Sequence, residues 1–369
     1  MEKILVLGGS YLQSDFVEDA IALGYEVVCI DRDNDCYMKH KLPQNFDNVD
    51  FGDIEILRNY IKTGKFNAII APANELGNLL ISQLAPEFGL KYNSLETVMS
   101  TIDKGLLKTL LKKLKINTPE LYSIENITEI NYPVIVKPSN SSAGRGVSLV
   151  KTQIELNNAI QDAELYVKKE GSVLIEEYIE GEQYSIETIS CNSKHYIVGI
   201  TQETTTGIPF FIERSHYTSP QIFNKKFLFI DFINHLLNSL GVKYGPCHIE
   251  VIVNNKEEIY PIDFGTRSGG FRSRLLKYAG GSNYNKLIMD SYTKKQINTN
   301  DIKEPSRTST VSLLLYPRDL EIYLEAKKDG NLVEEFFYPR GPELNPCNIM
   351  HAFGYFFGAY NGEEFKYKL

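Results

Sequence analysis

Apolar and polar positions change their spacing along this chain, and each change predicts a different element. "KILVLGG" (Lys3–Gly9) is a continuous apolar run ended by glycines, the pattern of a strand buried on both faces. Apolar residues then recur at helical spacing at Phe16, Ala20, Ile21 and Leu23, Gly24 stops the helix, and "EVVCI" makes a second strand ending at Asp31. "NAIIAPA" repeats the strand signal and "LGNLLISQLA" the helical one. This β-α-β order predicts an open α/β domain over roughly the first 90 residues.

In "LLKTLLKKLK" the leucines fall at helical spacing with lysines between them, so a helix with one buried and one solvated face is expected. After the extended "INTPELYSI", residues from about Pro133 to Ser190 read as short strands, turns and one helix, a small α+β module. A helix beginning at Leu228 leads into a pair of strands, and past Pro305 the chain is strand-rich, with aromatics and Pro/Gly turns. No internal repeat is visible.

Composition narrows the partners. The 369 residues are 43% hydrophobic and 23% charged, with a formal net charge of −8, the make-up of an ordinary soluble protein. No basic stripe is present to hold a nucleic acid, so none is expected as a partner. The cysteines (Cys29, Cys36, Cys191, Cys247, Cys347) form no CxxC pair, which predicts reduced thiols and a cytoplasmic location. Neither a leader pattern nor 18 uninterrupted apolar residues occur, so no membrane association is expected.

Three stretches carry candidate chemistry. In "VIVKPSNSSAGRGVSL" (Val134–Leu149) a loop of small residues joins two strand-like runs, so it has no following helix whose dipole could hold an anion. Ser142, Ala143, Gly144 and Gly146 instead suit a hairpin flap whose amides approach a polyphosphate, the alternative being a plain Ser/Gly hairpin. "VLIEEYIEGEQYSIE" ends a strand in a short linker at which backbone groups could read an adenine edge between Tyr178 and Ile179.

The third stretch, "HIEVIVNNKEEIYPIDFGTRSGG", predicts a hairpin. If Asn255 to Glu258 form a four-residue loop, Glu250 and Asp263 stand directly opposite each other, with Cβ atoms about 4.5–5.5 Å apart. Carboxylates that close repel, so the pair calls for a cation, and Mg²⁺ held by hard oxygens facing phosphates answers that need. A solvent-facing acidic hairpin is the alternative. Ile249, Val251, Ile262 and Phe264 would pack on one side, leaving Glu250, Ile252, Pro261 and Asp263 toward a cleft. Arg267 would point its fork at a phosphate or an oxyanion. By contrast "GGSYLQ" lacks the third glycine of a dinucleotide fingerprint, which favours packing or a small-substrate contact over NAD at Asp31.

Lys104, Lys137, the small-residue loop, Glu176-Glu177-Tyr178-Ile179, Glu250, Asp263 and Arg267 occur in an order that resembles the ATP-grasp superfamily. Its carboxylate-amine ligases and the related biotin carboxylase and carbamoyl phosphate synthase modules are the nearest in pattern. The resemblance runs from "KILVLGG" to about Tyr292. It implies a combined α/β and α+β, ATP-grasp fold: a Rossmann-like α/β domain at 1–92, an ATP-grasp domain at 93–300 with a hinged lid at about 119–179, and a strand-rich extension at 301–369. It also implies that ATP binds between the lid and a mixed-sheet metal-binding domain, with Lys104 and Lys137 on its phosphates, Glu176 to Ile179 at the adenine, and Glu250 and Asp263 on Mg²⁺ or Mn²⁺.

This chain departs from the family pattern in two places. "GEQYS" puts Gln183 or Glu182 where a ribose-binding glutamate is usual, and "DFGTR" puts Gly265 where a second-metal asparagine is usual. "ITQETTTGIPFFIERSHYTSP" is similar to a loop of amino-acid ligases in this superfamily, with His216 as a proton carrier, a substrate contact or neither. Arg272 and Arg274 offer charges on which a carboxylate substrate could dock.

The activity implied is ATP-dependent ligation. A small-molecule carboxylate is phosphorylated to an acylphosphate with Lys137 assisting, an amine attacks it, and Arg267 steadies the oxyanion. Activation of bicarbonate or formate, and a non-catalytic nucleotide-binding regulator, are the competing readings. A homodimer stays open.

Overall fold

The computed structural model of the chain describes residues 1–124, 126, 130–208 and 211–361. Residues 209 and 210 of the "GIPFF" loop and 362–369 of the C-terminal extension lie outside the described residues.

The chain opens with β1 (Lys3–Leu7), α1 (Tyr11–Ala22), β2 (Glu26–Asp31), α2 (Tyr37–Lys41), β3 (Phe46–Asn48), α3 (Ile54–Gly64), β4 (Ala68–Ile70) and α4 (Glu75–Leu84). Its four strands are parallel in the order β3-β2-β1-β4. Ser10 caps α1 in a reciprocal box with Gln13, which sets the helix start immediately after the glycine turn. Asp31 holds that turn, because its Oδ2 accepts the Gly9 amide at 2.8 Å and its Oδ1 the Asp33 amide at 2.9 Å. The glycines after β1 therefore serve packing: a Cβ on Gly9 would come within 2.5 Å of Cys36 Sγ.

Helices α5 (Leu95–Ile102) and α6 (Lys104–Lys113) lead into a second sheet formed by β5 (Leu121–Tyr122), β6 (Val134–Pro138), β7 (Ser148–Val150) and, after α7 (Gln153–Glu164), β8 (Val173–Glu177). These strands run in the order β5-β8-β6-β7 with α7 packed on one face, and form the lid. Asp103 caps α6 through the amides of Gly105 and Leu106, both at 2.9 Å, and also takes the Ser139 hydroxyl from the lid, so helix start and lid are fixed by one carboxylate.

The body follows: β9 (Glu182–Cys191), β10 (Lys194–Thr205), β11 (Glu213–Thr218), α8 (Pro220–Asn224), α9 (Lys226–Ser239), β12 (Tyr244–Val253), β13 (Ile259–Gly265), α10 (Arg272–Tyr278), α11 (Tyr284–Thr293), β14 (Thr308–Leu314), α12 (Asp319–Lys328), β15 (Leu332–Phe337) and β16 (Gly354–Tyr360). Its eight-stranded sheet has the order β13-β12-β9-β10-β11-β14-β16-β15. The strands after Pro305 thus continue this sheet, with β14 pairing along the edge of β11 that would otherwise be open. Leu107 and Leu111 of α6 join Phe229, Ile233 and Leu236 of α9 on one face of the sheet, and Leu276 and Leu287 of α10 and α11 cover the other.

Arg274, expected to meet a substrate carboxylate, is instead buried in the joint between α1, α10 and β15. Its guanidinium lies 2.9 Å from Asp15 and 3.2 Å from Glu334, and its carbon 4.0 Å above the Tyr11 ring. Arg274→Ala leaves two carboxylates facing each other without their cation and is expected to cost about 3–5 kcal/mol in denaturant unfolding. A loss under 1 kcal/mol would remove this joint as a main support of the fold.

Candidate active site

A cavity of about 720 Å³ lies between the lid and the body sheet, lined by the flap, the β8–β9 linker, β10, β11 and the β12–β13 hairpin. Among the predicted residues it brings together Lys104, Lys137, Ser142, Ala143, Gly144, Glu176 to Ile179, Gln183, His216, Glu250, Asp263, Arg267 and Arg272. Gly146 and Arg274 are not in its wall.

The hairpin pairs Glu250 with Asp263, but by a different path from the one expected. The turn spans five residues rather than four, since Val253 pairs with Ile259 and Asn254 bonds Glu258 across it. A bulge between Glu250 and Val251 adds one residue back on β13 and restores the register. The bulge also reverses side-chain parity beyond it: Pro261 is buried and Ile262 lines the cavity, the opposite of the strict alternation expected.

Both acids of the hairpin have a cation beside them. Asp263 Oδ1 lies 3.1 Å from Lys104 Nζ; burial raises the Asp263 pKa, but Lys104, Arg267 and Lys137 outweigh it and bring it down to about 2. Glu250 Oε1 lies 3.1 Å from His248 Nε2, and the other ring nitrogen of His248 bonds Glu187, which also accepts the Gly269 amide at 3.1 Å and the Tyr284 hydroxyl at 3.0 Å. Burial pulls the His248 pKa down, yet the two glutamates lift it to about 9.

Glu176 was expected at an adenine edge. It is instead buried between two lysines, with Lys137 Nζ at 2.5 Å and Lys108 Nζ at 3.0 Å, because a carboxylate in the lid interior must be paired. Burial pushes the Lys108 pKa down, to about 8, against the pull of Glu176. Along the same linker Glu177, Tyr178 and Ile179 line the cavity, and the Tyr178 ring stands 6.3 Å from that of Phe211 across it.

The inner end holds a second network. Gln183 donates to Glu203 at 2.6 Å, and Arg272 reaches Glu203 at 3.4 Å and His216 Nδ1 at 3.0 Å. His216 Nε2 lies 3.0 Å from Glu213. Burial and Arg272 push the His216 pKa down while Glu203 and Glu213 raise it, and the net direction is upward. The guanidinium of Arg267, by contrast, has one side-chain hydrogen bond among the described residues, to the Ser268 carbonyl at 3.2 Å. It is the cleft's least engaged guanidinium.

Lys108, Glu187, Glu203, Glu213, His248 and Phe211 were missed. Signals existed for two of them: Lys108 is one helical turn from Lys104, and His248 shares a strand face with Glu250. Glu187 and Glu203 are acids inside otherwise buried strands, with no local pattern to mark them.

Among the described residues no group of three or more His, Cys, Asp or Glu is arranged to hold a metal alone. Two carboxylates, Glu250 and Asp263, fit Mg²⁺ nonetheless, because that ion keeps several waters and takes phosphate oxygens for its remaining positions.

Residues 130–274 match the family model described as an ATP-grasp domain, a span that holds every predicted site residue except Lys104. Among solved structures the chain is similar to the L-amino acid ligase from Bacillus licheniformis, with a TM-score of 0.76, 18% identity, and 98% of this chain and 94% of that one covered. It is equally similar to N5-carboxyaminoimidazole synthetase from Staphylococcus aureus complexed with ADP, at a TM-score of 0.76 and 16% identity over 98% and 94%. At this identity the likeness speaks to the fold.

In sequence, the formate-dependent phosphoribosylglycinamide formyltransferase of Prochlorococcus marinus (strain AS9601) is 32% identical over 191 residues, 48% of each chain. The carbamoyl phosphate synthase large chain of Clostridium acetobutylicum is 26% identical over 262 residues, 65% of this chain and 24% of that one. The match thus spans about half the length of the first of these relatives.

The flap yields a structural prediction. Gly144 and Gly146 both have positive φ, +67° and +70°, but a Cβ on Gly144 meets open space while one on Gly146 would come within 2.9 Å of Tyr166 and 3.1 Å of the Ala163 Cα. Gly144→Ala should cost about 1 kcal/mol in denaturant unfolding, and Gly146→Ala clearly more. Equal losses would show that the flap does not depend on this close approach.

Proposed function

We propose that this chain is an ATP-dependent ligase. It phosphorylates a small-molecule carboxylate to an acylphosphate and transfers the acyl group to an amine, releasing an amide or peptide, ADP and phosphate. The observation that carries this reading is the facing pair Glu250 and Asp263 on a cleft wall that also presents Lys104, Lys137 and Arg267. A facing pair of acids with three permanent cations on the same wall suits a magnesium triphosphate better than any neutral ligand.

In this reading Glu250 and Asp263 hold Mg²⁺, which neutralises charge on the transferring phosphoryl group when bound. Lys104 and Lys137 contact the phosphates, and the amides of the Ser142–Gly144 segment cover them. Tyr178, Ile179 and Ile262 enclose the adenine. Arg267, whose guanidinium hydrogen-bonds the Ser268 carbonyl, receives the substrate carboxylate and then the oxyanion that forms when the amine attacks. Glu213, paired with His216, would take the proton that the attacking amine must lose. Lid closure keeps water from the acylphosphate. All five cysteines are free, which suits a reducing, cytoplasmic setting.

A second reading has a specific support: the 32% identical relative is a formate-dependent enzyme. There the activated acid would be formate, with the same groups in the same duties. Phosphate release from magnesium ATP, screened against a panel of amino acids, formate and bicarbonate, separates the two. Release that needs both an acid larger than formate and an amine supports the ligase. Release with formate and an amine moves the assignment, and nucleotide binding without turnover under any pair would overturn catalysis altogether.

Glu250→Gln should lower that release by at least about a thousand-fold while the unfolding curve stays within about 1 kcal/mol of the parent. Unchanged release would remove the metal assignment. Lys137→Ala should weaken ATP by about ten- to a hundred-fold in calorimetry, and equal affinity would detach the lid lysine from the phosphates.

A further inference from the structure

Lys108 is a buried lysine that no part of the reading above uses. It sits one turn along α6 from Lys104, is 2% exposed, and is absent from the cavity wall. Among the described residues its ammonium has one ion-pair partner, Glu176 of β8 at 3.0 Å, whose other oxygen holds Lys137 of β6 at 2.5 Å. Lys137 and Glu176 both belong to the lid, where they are diagonal neighbours on adjacent strands, since Ile135 pairs with Glu176 and Lys137 with Leu174. Lys108 stands on α6, whose Leu107 and Leu111 pack against the body sheet. The Lys108–Glu176 contact therefore crosses from body to lid.

We propose that Lys108 is a positioning residue of the nucleotide site: by sharing Glu176 it leaves Lys137 with charge to offer the phosphates of ATP, and it ties the lid to the body at the base of the cleft. This rests on the nucleotide-site reading given above.

The argument is one of charge count. A buried lysine and a buried glutamate alone form a neutral pair, and an ammonium held at 2.5 Å by its own counter-ion has little field left for a third party. Two lysines on one glutamate leave the trio at a net charge of +1. Of the three, only Lys137 and Glu176 reach the cavity wall, so the surplus is delivered there through Lys137. Lys137 also donates to the Ile262 carbonyl at 3.5 Å, which directs the ammonium toward the hairpin that carries Asp263. Other charged groups acting on Lys108 are Asp263 of β13 and Lys137 itself. Burial lowers the pKa of Lys108 to about 8, so most of its charge is present at neutral pH and half is lost by about pH 8.

The test compares two variants of the full chain by calorimetric titration with magnesium ADP and magnesium ATP at pH 7. Lys108→Met removes one positive charge and leaves Glu176 paired with Lys137; nucleotide binding should weaken by about ten-fold or more. Lys108→Met combined with Glu176→Gln returns the trio to +1, with no carboxylate to capture Lys137, and should bind at least about five-fold tighter than the single variant. A purely structural role for Lys108 predicts no such recovery, because the double variant removes one more buried contact.

Binding by Lys108→Met equal to the parent overturns the proposal, as does a double variant no tighter than the single one. If the parent chain takes up neither nucleotide, the nucleotide-site reading falls and this proposal with it. Parent binding with unaffected variants would leave that reading standing and this one refuted. A pH series adds an independent check: parent affinity should decline through a limb centred near pH 8, which Lys108→Met should lack. Identical pH profiles in both proteins would count against the inference.

Discussion

A carboxylate withdrawn from water must have a cation brought to it, and this constraint organises the molecule around its cleft. Glu176, Glu187, Glu203 and Asp263 are each largely removed from solvent, and each is met by a positive group from a different element. Lys108 comes from α6 and Lys137 from β6 to meet Glu176; His248 comes from β12 to meet Glu187; Arg272 from α10 and His216 from β11 meet Glu203; Lys104 from α6 meets Asp263. Each pair crosses between elements, so charge compensation and tertiary assembly are one event. The lid, the helix beneath it and the eight-stranded sheet are joined at the points where the chemistry is placed.

The same constraint gives the cleft its polarity. Most of its charged groups are already engaged in pairs, which holds their side chains in fixed positions before any ligand arrives. Arg267 differs, with one side-chain hydrogen bond among the described residues, to the Ser268 carbonyl, and Lys137 differs in sharing its glutamate with a second lysine. A ligand bearing several negative charges would meet cations already positioned for it. The span that matches the ATP-grasp domain model, residues 130–274, holds most of these paired groups.

Legibility in the sequence followed the range of the interaction. Elements governed by local periodicity were readable: the β-α-β opening, the α6 helix and the long helix before the hairpin all stand where the apolar spacing put them. The pairing of Glu250 with Asp263 was readable too, although two local departures, a longer turn and a bulge, had to cancel for it to hold. What escaped was set by distant partners. Glu176 looked like part of a linker until two lysines from other segments closed on it, and Arg274 looked like a docking charge until Asp15 and Glu334 surrounded it. Lys108 was assigned to a solvated face because helical spacing says which residues share a side, not what covers that side.

By itself, then, the order of residues determined the class of fold, the positions of the flap and hairpin, and the two acids that face each other, because each of these depends on backbone propensity and spacing within a few tens of residues. Only the tertiary structure decided which charges are free and which are neutralised. It also decided that the strands after Pro305 extend the body sheet instead of standing apart. A charge is defined by its nearest opposite, and in this chain that opposite can lie 259 residues away, as Asp15 does from Arg274.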